Sequence, residues 1–569
     1  MRPWKPWLRR LGLGAVVVGG IAFTIAGIVG VAVEFAHAHA ATHKGEATSA
    51  VQSPPMIRVA VGGAIPTLDP AKADDTESIS AVQLIYQPLF TYGTNGHLVG
   101  LLASSWSWSN NDQRLTVQIN PAAHFSDGSP VTAADVVFSL DRMLDASTGA
   151  PEAQSFSALV GYAQLRQGDP SSGIIATGTD TVVFTLTSPL PSLTELLAMP
   201  SASIVEEQLV SQSAASSAQW WFANSAGSGP YVLGPYTSGI SLQLHPSPDF
   251  WMKGDPGPTG VTEGPYAGVL FQVVSSPATQ LQLFKAGRLD VLDPLGPSQE
   301  KELGTLPAGA KLLEGSALGL SYLGFNTSKT PFNVLDVRLA AAYALNKPAL
   351  LKAAGGVGQV ASGLIPPGIA GRKLSLAPYA YDPQKAAALL QKSGLSLPIP
   401  VVLLTIASSG TVQQGINDSA AQLVAKELDA VGFSVAVRAE SWQSYYDDLQ
   451  AGQDNLYQGS WLADYPSAQD FFFNLLDSAS IGVNNDTFFS DPAFDALDAQ
   501  AASTVTTSVQ DALFERLDQL VYQEVPLLPE IYEDTAVLVS ARLSPATLQT
   551  FIAPPLMPRY DLVQVLGSS

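Results

Sequence analysis

Large aromatic side chains gather on both sides of one carboxylate in the last third of the chain. Trp461 and Tyr465 flank Asp464, and Trp442 and Tyr446 precede them by one short segment. Rigid rings with polar tips make good walls for a ligand pocket. Trp442 and Tyr446 could equally pack on the core face of a helix. The aromatic residues therefore predict a binding pocket, with core packing as the alternative.

Sequence patterns typical of enzymes are missing from the chain. It has no Gly-x-Ser-x-Gly elbow, no His-Glu-x-x-His helix and no Gly-x-x-x-x-Gly-Lys-Ser/Thr loop. Gly356-Val357-Gly358 followed by Ala361 imitates a dinucleotide fingerprint, but it follows an Ala- and Leu-rich helical stretch where that fingerprint needs a strand. We interpret this segment as a loop and predict that the protein is not an enzyme and uses no cofactor.

The histidines offer little support for a metal site. His37, His39 and His43 share one tract without acidic or Cys companions, which favours a spacer over a metal site. The remaining three, His97, His124 and His245, lie in separate segments beside turn residues and are expected in surface or core roles. No metal ligand is therefore predicted.

Composition excludes several classes of partner and chemistry. The chain has 569 residues, 49 acidic against 28 basic side chains and a net charge of −21. This charge should repel nucleic acid and anionic lipid. The absence of Cys excludes disulfides, thiolate chemistry and a lipidated Cys. A chain of this length can form several domains around a large core.

The amino-terminal segment predicts export. Arg2, Lys5, Arg9 and Arg10 precede an uncharged apolar run over residues 11–33, long enough to span a bilayer as a helix. The basic flank would stay in the cytoplasm, which places the rest outside. Small-x-small sequences over residues 36–40 fit a cleavage site. The alternatives are a retained membrane anchor and a cleaved signal peptide.

Local patterns predict mixed helix and strand. Alternating apolar residues predict strands at 57–61, 115–119 and 181–186, and Thr132 is expected to begin a helix. Asp382 and Pro383 predict a helix start, with Gly394 after its end. A further helix that ends at Gly432 is expected to lead into a strand from Phe433, as in a helix-strand unit of an α/β lobe.

Short segments along the chain follow the order of a known family. They are Thr67–Pro70, Tyr86–Phe90, Leu102–Trp106, Phe125–Val136, Gly227–Tyr231, Asp249–Trp251, Gly287–Asp290, Leu323–Thr327, Asp336–Ala340, Tyr381–Pro383 and Trp461–Pro466. One such segment is a weak signal, but the set is a strong one because chance similarity does not preserve order. The chain resembles the extracytoplasmic solute-binding proteins of peptide and nickel ABC importers, the oligopeptide- and dipeptide-binding family.

This resemblance implies an α/β fold of the large bilobed periplasmic-binding-protein type. Two crossover hinge segments would join the lobes, near residues 316–324 and 526–532, and the first lobe would carry an extra subdomain. The expected domains are a signal or anchor segment at 1–40, a linker at 41–55, a first lobe at 56–316 with its subdomain near 102–226, a second lobe at 317–530, and a return to the first lobe at 531–569.

The resemblance also implies a role for Asp464. Residues 461–466 match the family's Trp-x-x-Asp-Tyr-Pro segment, in which an aspartate pairs with the α-ammonium group of a bound peptide. A charge-assisted hydrogen bond in a closed, drier cleft contributes about 1.5–3 kcal/mol. The alternative is a turn aspartate that caps the segment of Pro466. The family commonly continues with Asp-Pro where this chain has Ser467-Ala468, which departs from the pattern. The predicted ligand-binding residues are Asp464, Trp461, Tyr465, Trp442 and Tyr446.

The function implied by the resemblance is that of a monomeric, extracytoplasmic receptor of an ABC importer. It would capture short peptides or peptide-like solutes between its lobes and deliver them to permease subunits with associated ATPases. Two alternatives stay open: a receptor for a nickel chelate or another non-peptide solute, and a sensory envelope protein that binds without transport.

Overall fold

The structure is a computed structural model that describes residues 55–93, 97–170, 172–211, 217–253, 267–293, 295, 299, 302–407 and 412–543. The predicted anchor at 11–33, the cleavage site and residues 41–54 of the linker predicted at 41–55 lie outside these residues. In the described part of the chain, no helix is long and apolar enough to cross a membrane.

The strands of the described chain are β1 (Met56–Val61), β2 (Phe90–Tyr92), β3 (Leu98–Gly100), β4 (Ala103–Ser109), β5 (Arg114–Ile119), β6 (Ile174–Thr177), β7 (Thr181–Thr185), β8 (Tyr231–Thr237), β9 (Ser241–Pro246), β10 (Gly268–Val273), β11 (Val291–Leu292), β12 (Lys311–Phe325), β13 (Gln359–Val360), β14 (Ile399–Ile406), β15 (Phe433–Glu440), β16 (Leu456–Leu462) and β17 (Leu527–Val539).

The α-helices are α1 (Thr76–Ile85), α2 (Ala133–Leu144), α3 (Tyr162–Leu165), α4 (Leu193–Leu196), α5 (Glu207–Ser211), α6 (Ala218–Trp221), α7 (Pro277–Lys285), α8 (Leu335–Ala344), α9 (Lys347–Ala353), α10 (Pro383–Lys392), α11 (Val412–Asp429), α12 (Trp442–Gln450), α13 (Ala468–Leu476), α14 (Pro492–Ala502) and α15 (Thr507–Glu524). Short 3-10 helices span Pro70–Lys72, Ala146–Thr148, Pro151–Phe156, Pro200–Ala202 and Ser478–Ser480.

Helix ends follow the capping residues of the sequence. Thr132 and Asp135 form a reciprocal capping box at the start of α2, in which the backbone N–H of Thr132 donates to Asp135 Oδ2 at 2.9 Å. Asp382 caps α10 by accepting from the backbone N–H of Lys385 at 2.9 Å, with Pro383 in the first turn. These predicted helix starts, and the strands expected near 57–61, 115–119 and 181–186, are confirmed.

One 11-stranded mixed sheet runs through most of the fold, in the order β15-β14-β16-β12-β17-β11-β1-β10-β9-β8, with β13 attached to β17. The long strands β12 and β17 link its two ends. Residues 311–316 of β12 pair with 534–539 of β17, which in turn reaches β11, whereas residues 319–325 pair with β16 and with the first half of β17. The register shifts between Ser316 and Gly319, and Leu318 has a left-handed φ of 51°.

Separate apolar clusters pack in different parts of the fold. One cluster is drawn from residues 71–204 and holds together the four-stranded sheet β4-β5-β7-β6 and α2. Another packs beneath β16 and includes α13, α14 and α15. The strand β16 therefore leads directly from the sheet to the segment that carries Asp464.

Candidate functional site

Asp464 lies in the short connection between β16 and α13. Trp461 pairs with Leu320 of β12 in the last part of β16, so the sheet register fixes where this connection begins. Ser467 ends it as the N-cap of α13, and its hydroxyl oxygen accepts from the backbone N–H of Gln469 at 3.3 Å. The N-cap of this helix is therefore Ser467.

Asp470 organises the connection from inside α13. Its side chain has no exposed surface. Oδ2 accepts from the indole Nε1 of Trp461 at 2.9 Å and from the backbone N–H of Asp464 at 3.2 Å, and Oδ1 accepts from Asn474 Nδ2 at 3.1 Å. Because Asp470 engages the polar edge of Trp461 and the backbone of residue 464, it holds the whole segment in one conformation.

The Asp464 carboxyl group is left without a conventional donor. Its Oδ2 atom is buried and receives no hydrogen bond from any N–H or hydroxyl group of the described residues. Burial, repulsion from Asp470 and a proton shared with the Asp470 carboxyl group raise the pKa of Asp464 well above its ordinary value. Burial likewise raises the pKa of Asp470 to about 8. The Oδ2 atom is thus an acceptor without an N–H or hydroxyl donor, and an incoming cation would replace the proton shared with Asp470.

Tyr465 packs in a part of the fold that is distant in sequence. Its side chain is only 3% exposed and belongs to the cluster of residues 71–204, together with Ala153, Phe156 and Leu193. Trp461 instead packs against the cluster beneath β16. Neighbouring residues of one short segment thus belong to two different apolar clusters, and Asp464 lies between them in the sequence.

Two acidic residues from the region of residues 71–204 lie near this segment. Glu152 lies on the 3-10 helix Pro151–Phe156, and burial, followed by repulsion from Asp464 and Asp74, raises its pKa well above the ordinary value. Glu195 lies on α4, where burial raises its pKa to about 7. Within the described residues, every ion pair lies elsewhere, so no basic side chain neutralises these carboxyl groups.

The other two predicted site residues belong to α12. Tyr446 is partly buried against the cluster beneath β16, with its ring 5.6 Å from that of Tyr445, and burial raises its pKa to about 12. Trp442 is the first residue of the helix, and its side chain lies outside the described part of the structure. The structure therefore brings Trp461, Asp464 and Tyr465 together and places Tyr446 on the cluster that Trp461 also contacts.

Sequence reasoning missed Asp470 and Glu152. Asp470 follows Asp464 closely, yet an acidic residue in the first turn of a helix is usually a surface feature that complements the helix dipole. Glu152 carries no local signal of a site. The glycines at 356 and 358 have left-handed φ values between α9 and β13, which confirms the loop interpretation of that segment. Among the described residues, no group of three or more His, Asp or Glu side chains is placed to hold a metal ion.

Residues 97–482 match the bacterial extracellular solute-binding proteins, family 5 Middle. The chain belongs to this family. The resemblance predicted from the ordered segments is thereby confirmed, and the general function of binding an extracellular solute follows from family membership.

Similar curated proteins cover most of the chain. The glutathione-binding protein GsiB of Escherichia coli O6:K15:H31 (strain 536 / UPEC) is 27% identical over 493 residues, which span 85% of this chain and 90% of GsiB. The periplasmic murein peptide-binding protein MppA of Escherichia coli (strain K12) is 26% identical and covers 82% of this chain and 86% of MppA.

Solved structures of similar proteins confirm the predicted bilobed α/β fold. The periplasmic binding protein DppA from Helicobacter pylori, in complex with the peptide STSA, aligns with a TM-score of 0.77 at 21% identity over 90% of this chain and 98% of DppA. The murein tripeptide-binding protein MppA of Escherichia coli aligns with a TM-score of 0.77 at 22% identity over 91% of this chain and 99% of that protein.

Proposed function

We propose that the protein is the substrate-binding receptor of an ABC importer and captures short peptides or peptide-like solutes between its lobes. The observation that supports this proposal is the buried Oδ2 atom of Asp464, which has no N–H or hydroxyl donor among the described residues and lies beside Tyr465 of the cluster of residues 71–204. The α-ammonium group of a peptide supplies the missing donor and a compensating charge. The relatives whose names state a peptide ligand, MppA and DppA, support the same ligand class.

In this proposal the peptide amino terminus is fixed while its side chains are left free. Trp461 and Tyr465 line the site on either side of Asp464, Tyr446 extends the aromatic wall, and Trp442 stays a prediction from the sequence. A ligand that contacts both lobes favours the closed arrangement, and permease subunits with their ATPases recognise closure. The receptor is a monomer, performs no covalent chemistry and works outside the cytoplasm, either anchored by residues 11–33 or released by cleavage near residues 38–40.

Asp464→Asn tests the assignment because it removes the charge and nearly conserves the shape. Calorimetry with a tripeptide that has a free amino terminus should show a loss of about tenfold to a hundredfold in affinity, the size of a charge-assisted hydrogen bond. The N-acetylated peptide should bind the original protein weakly and lose little more. The four measurements close a double-mutant cycle.

Asp518→Asn is the matched control, since Asp518 is also a buried acid but accepts from the backbone N–H of Leu364 within the second lobe. This variant should keep the preference for the free amino terminus. Equal losses for the free and acetylated peptides in Asp464→Asn would show that the carboxylate does not hold an ammonium group and would favour a non-peptide solute.

A further inference from the structure

One loop contacts both of the predicted crossover segments. It spans residues 361–373 between β13 and α10, and we term it the brace loop. Its two ends are held by one carboxyl group of α15: Asp518 accepts from the backbone N–H of Leu364 at 2.7 Å through Oδ1 and from that of Lys373 at 3.3 Å through Oδ2. Apolar side chains of the loop, such as Ile365, are buried in the cluster beneath β16. The brace loop is therefore fixed to α15 by hydrogen bonds and by packing.

Tyr532 of β17 joins the brace loop to the crossover segment at 526–532. Its side chain is buried. The hydroxyl group accepts from the backbone N–H of Gly363 at 2.9 Å and of Ser362 at 3.2 Å, and it donates to the carbonyl oxygen of Gly363 at 2.9 Å. The guanidinium carbon of Arg372 lies 4.9 Å from the centre of the same ring, within the range of a cation–π contact. One aromatic side chain thus holds both the start and the end of the loop against β17.

Leu318 joins the brace loop to the other crossover segment, at 316–324. It lies at the register shift of β12, and its left-handed φ of 51° is one that a non-glycine residue keeps only when its surroundings hold it there. A Cβ atom at Gly368 would lie 3.0 Å from Leu318 Cδ2, so the bare backbone of the loop rests against this side chain. The carbonyl oxygen of Leu318 accepts from the backbone N–H of Ala463 at 3.2 Å. Leu318 therefore connects the brace loop to the residue that precedes Asp464.

We infer that the brace loop restrains the hinge, with Tyr532 and Leu318 as positioning residues that favour the described arrangement of β12 and β17. The inference rests on the proposed function, in which the lobes close around the ligand and these two strands bend. The loop is fixed to α15, so a bend at the register shift of β12 moves Leu318 relative to Gly368 and weakens their contact. The brace contacts therefore raise the fraction of the receptor that is competent to bind. Apparent affinity is proportional to this fraction, so every ligand should gain by the same factor.

Tyr532→Phe tests this restraint, because it removes the hydrogen bonds of the hydroxyl group and keeps the ring beneath Arg372. Calorimetry should show that a tripeptide with a free amino terminus and its N-acetylated form lose affinity by the same factor, about threefold to tenfold, the size of one buried hydrogen bond. The preference between the two peptides should stay constant. Tyr379→Phe is the matched control, since this hydroxyl group donates to the carbonyl oxygen of Tyr522 on α15. It should leave both affinities unchanged.

A distance measurement reports the restraint without any ligand. The chain has no Cys, so nitroxide labels at Thr177→Cys and Gln391→Cys, both at exposed positions, are the only two labels. In pulsed electron paramagnetic resonance of the ligand-free protein, Tyr532→Phe should lower the population at the distance that the peptide-saturated protein shows. Saturating peptide should restore that distance. A merely structural role of Tyr532 would lower the Tm, as Tyr379→Phe does, without moving the distance distribution.

Leu318→Gly supplies a second, independent variant. Glycine adopts the left-handed φ without strain, so the register shift persists while the contact with Gly368 is lost. Both peptides should again weaken by one factor, and the double variant with Tyr532→Phe should lose less than the product of the two factors, because both act through one loop. Independent effects, or affinities and distances in Tyr532→Phe that match Tyr379→Phe, would overturn the inference and leave the proposed function intact. Failure of every peptide to bind the original protein would count against the proposed function, and the ligand-free distances would still decide the inference.

Discussion

Ligand binding at Asp464 should release a proton near neutral pH. Without ligand, burial and repulsion keep the pKa of Asp464 well above 3.8 and that of Asp470 at about 8, so the two carboxyl groups hold at least one proton at pH 6.5. An ammonium group favours the ionised form of Asp464 and therefore lowers its pKa. Affinity should rise with pH across the interval between the bound and free pKa values, by up to about tenfold per pH unit, since one pKa unit equals about 1.4 kcal/mol.

The measurement is calorimetry at pH 6.5 in two buffers with different ionisation enthalpies, which reports the protons released per peptide bound. Asp470→Asn removes the repelling charge, so the pKa of Asp464 falls and fewer protons are released. Asp518→Asn, outside the pair, should leave proton release unchanged. No proton release by the original protein, together with a constant Kd from pH 5.5 to 7.5, would refute the reasoning, because an already ionised Asp464 has no proton to lose.

Two further predictions concern stability. Burial raises the pKa of Asp518 to about 6 and of Glu530 to about 7 in the folded protein. The stability that each neutral carboxyl group contributes is fully present below its pKa in the unfolded chain, and it is lost as pH rises through its pKa in the folded protein. Scanning calorimetry of the ligand-free protein should thus give a higher Tm at pH 5 than at pH 8, and the opposite order would contradict this. Gly324→Ala places a Cβ 2.1 Å from Cζ of buried Tyr457 and should lower the free energy of unfolding by about 1–3 kcal/mol. Gly63→Ala would place its Cβ 3.8 Å from Glu77 Oε1, an ordinary contact distance, and should change the free energy of unfolding by under about 0.5 kcal/mol in the same denaturant titration.

Local chemistry explains why the helix starts were predictable. Thr132 with Asp135, and Asp382 with Pro383, satisfy the free N–H groups of a first helical turn through residues a few positions apart. Such contacts depend on the sequence nearby and on little else. The role of Asp464 was predicted from the family resemblance instead. Its segment matches a family pattern in which an aspartate pairs with the bound peptide.

The surroundings of Asp464 depend on distant parts of the chain and had no local signal. Glu152 is over 300 residues away in sequence, and its helix contributes Phe156 to the same apolar cluster as Tyr465. Asp470 has the sequence position of an exposed helix-start acid, yet tertiary packing of α13 buries it completely. Trp461, predicted as a pocket wall, also donates its indole N–H to Asp470, a contact that aromatic content alone does not specify.

The charge of Asp464 and the proposed closure of the lobes are linked because Asp464 and Tyr465 are adjacent residues. In the proposed function the lobes meet at Tyr465, which belongs to the cluster of residues 71–204, and Asp464 precedes it by one peptide bond, so closure brings this carboxylate towards Glu152. In the absence of ligand, closure gathers carboxyl groups that must keep protons or repel one another, which raises the free energy of the closed arrangement. A cationic ligand removes that cost only when the lobes are together. The ligand therefore interacts differently with the open and closed states, which is the condition for binding to drive closure.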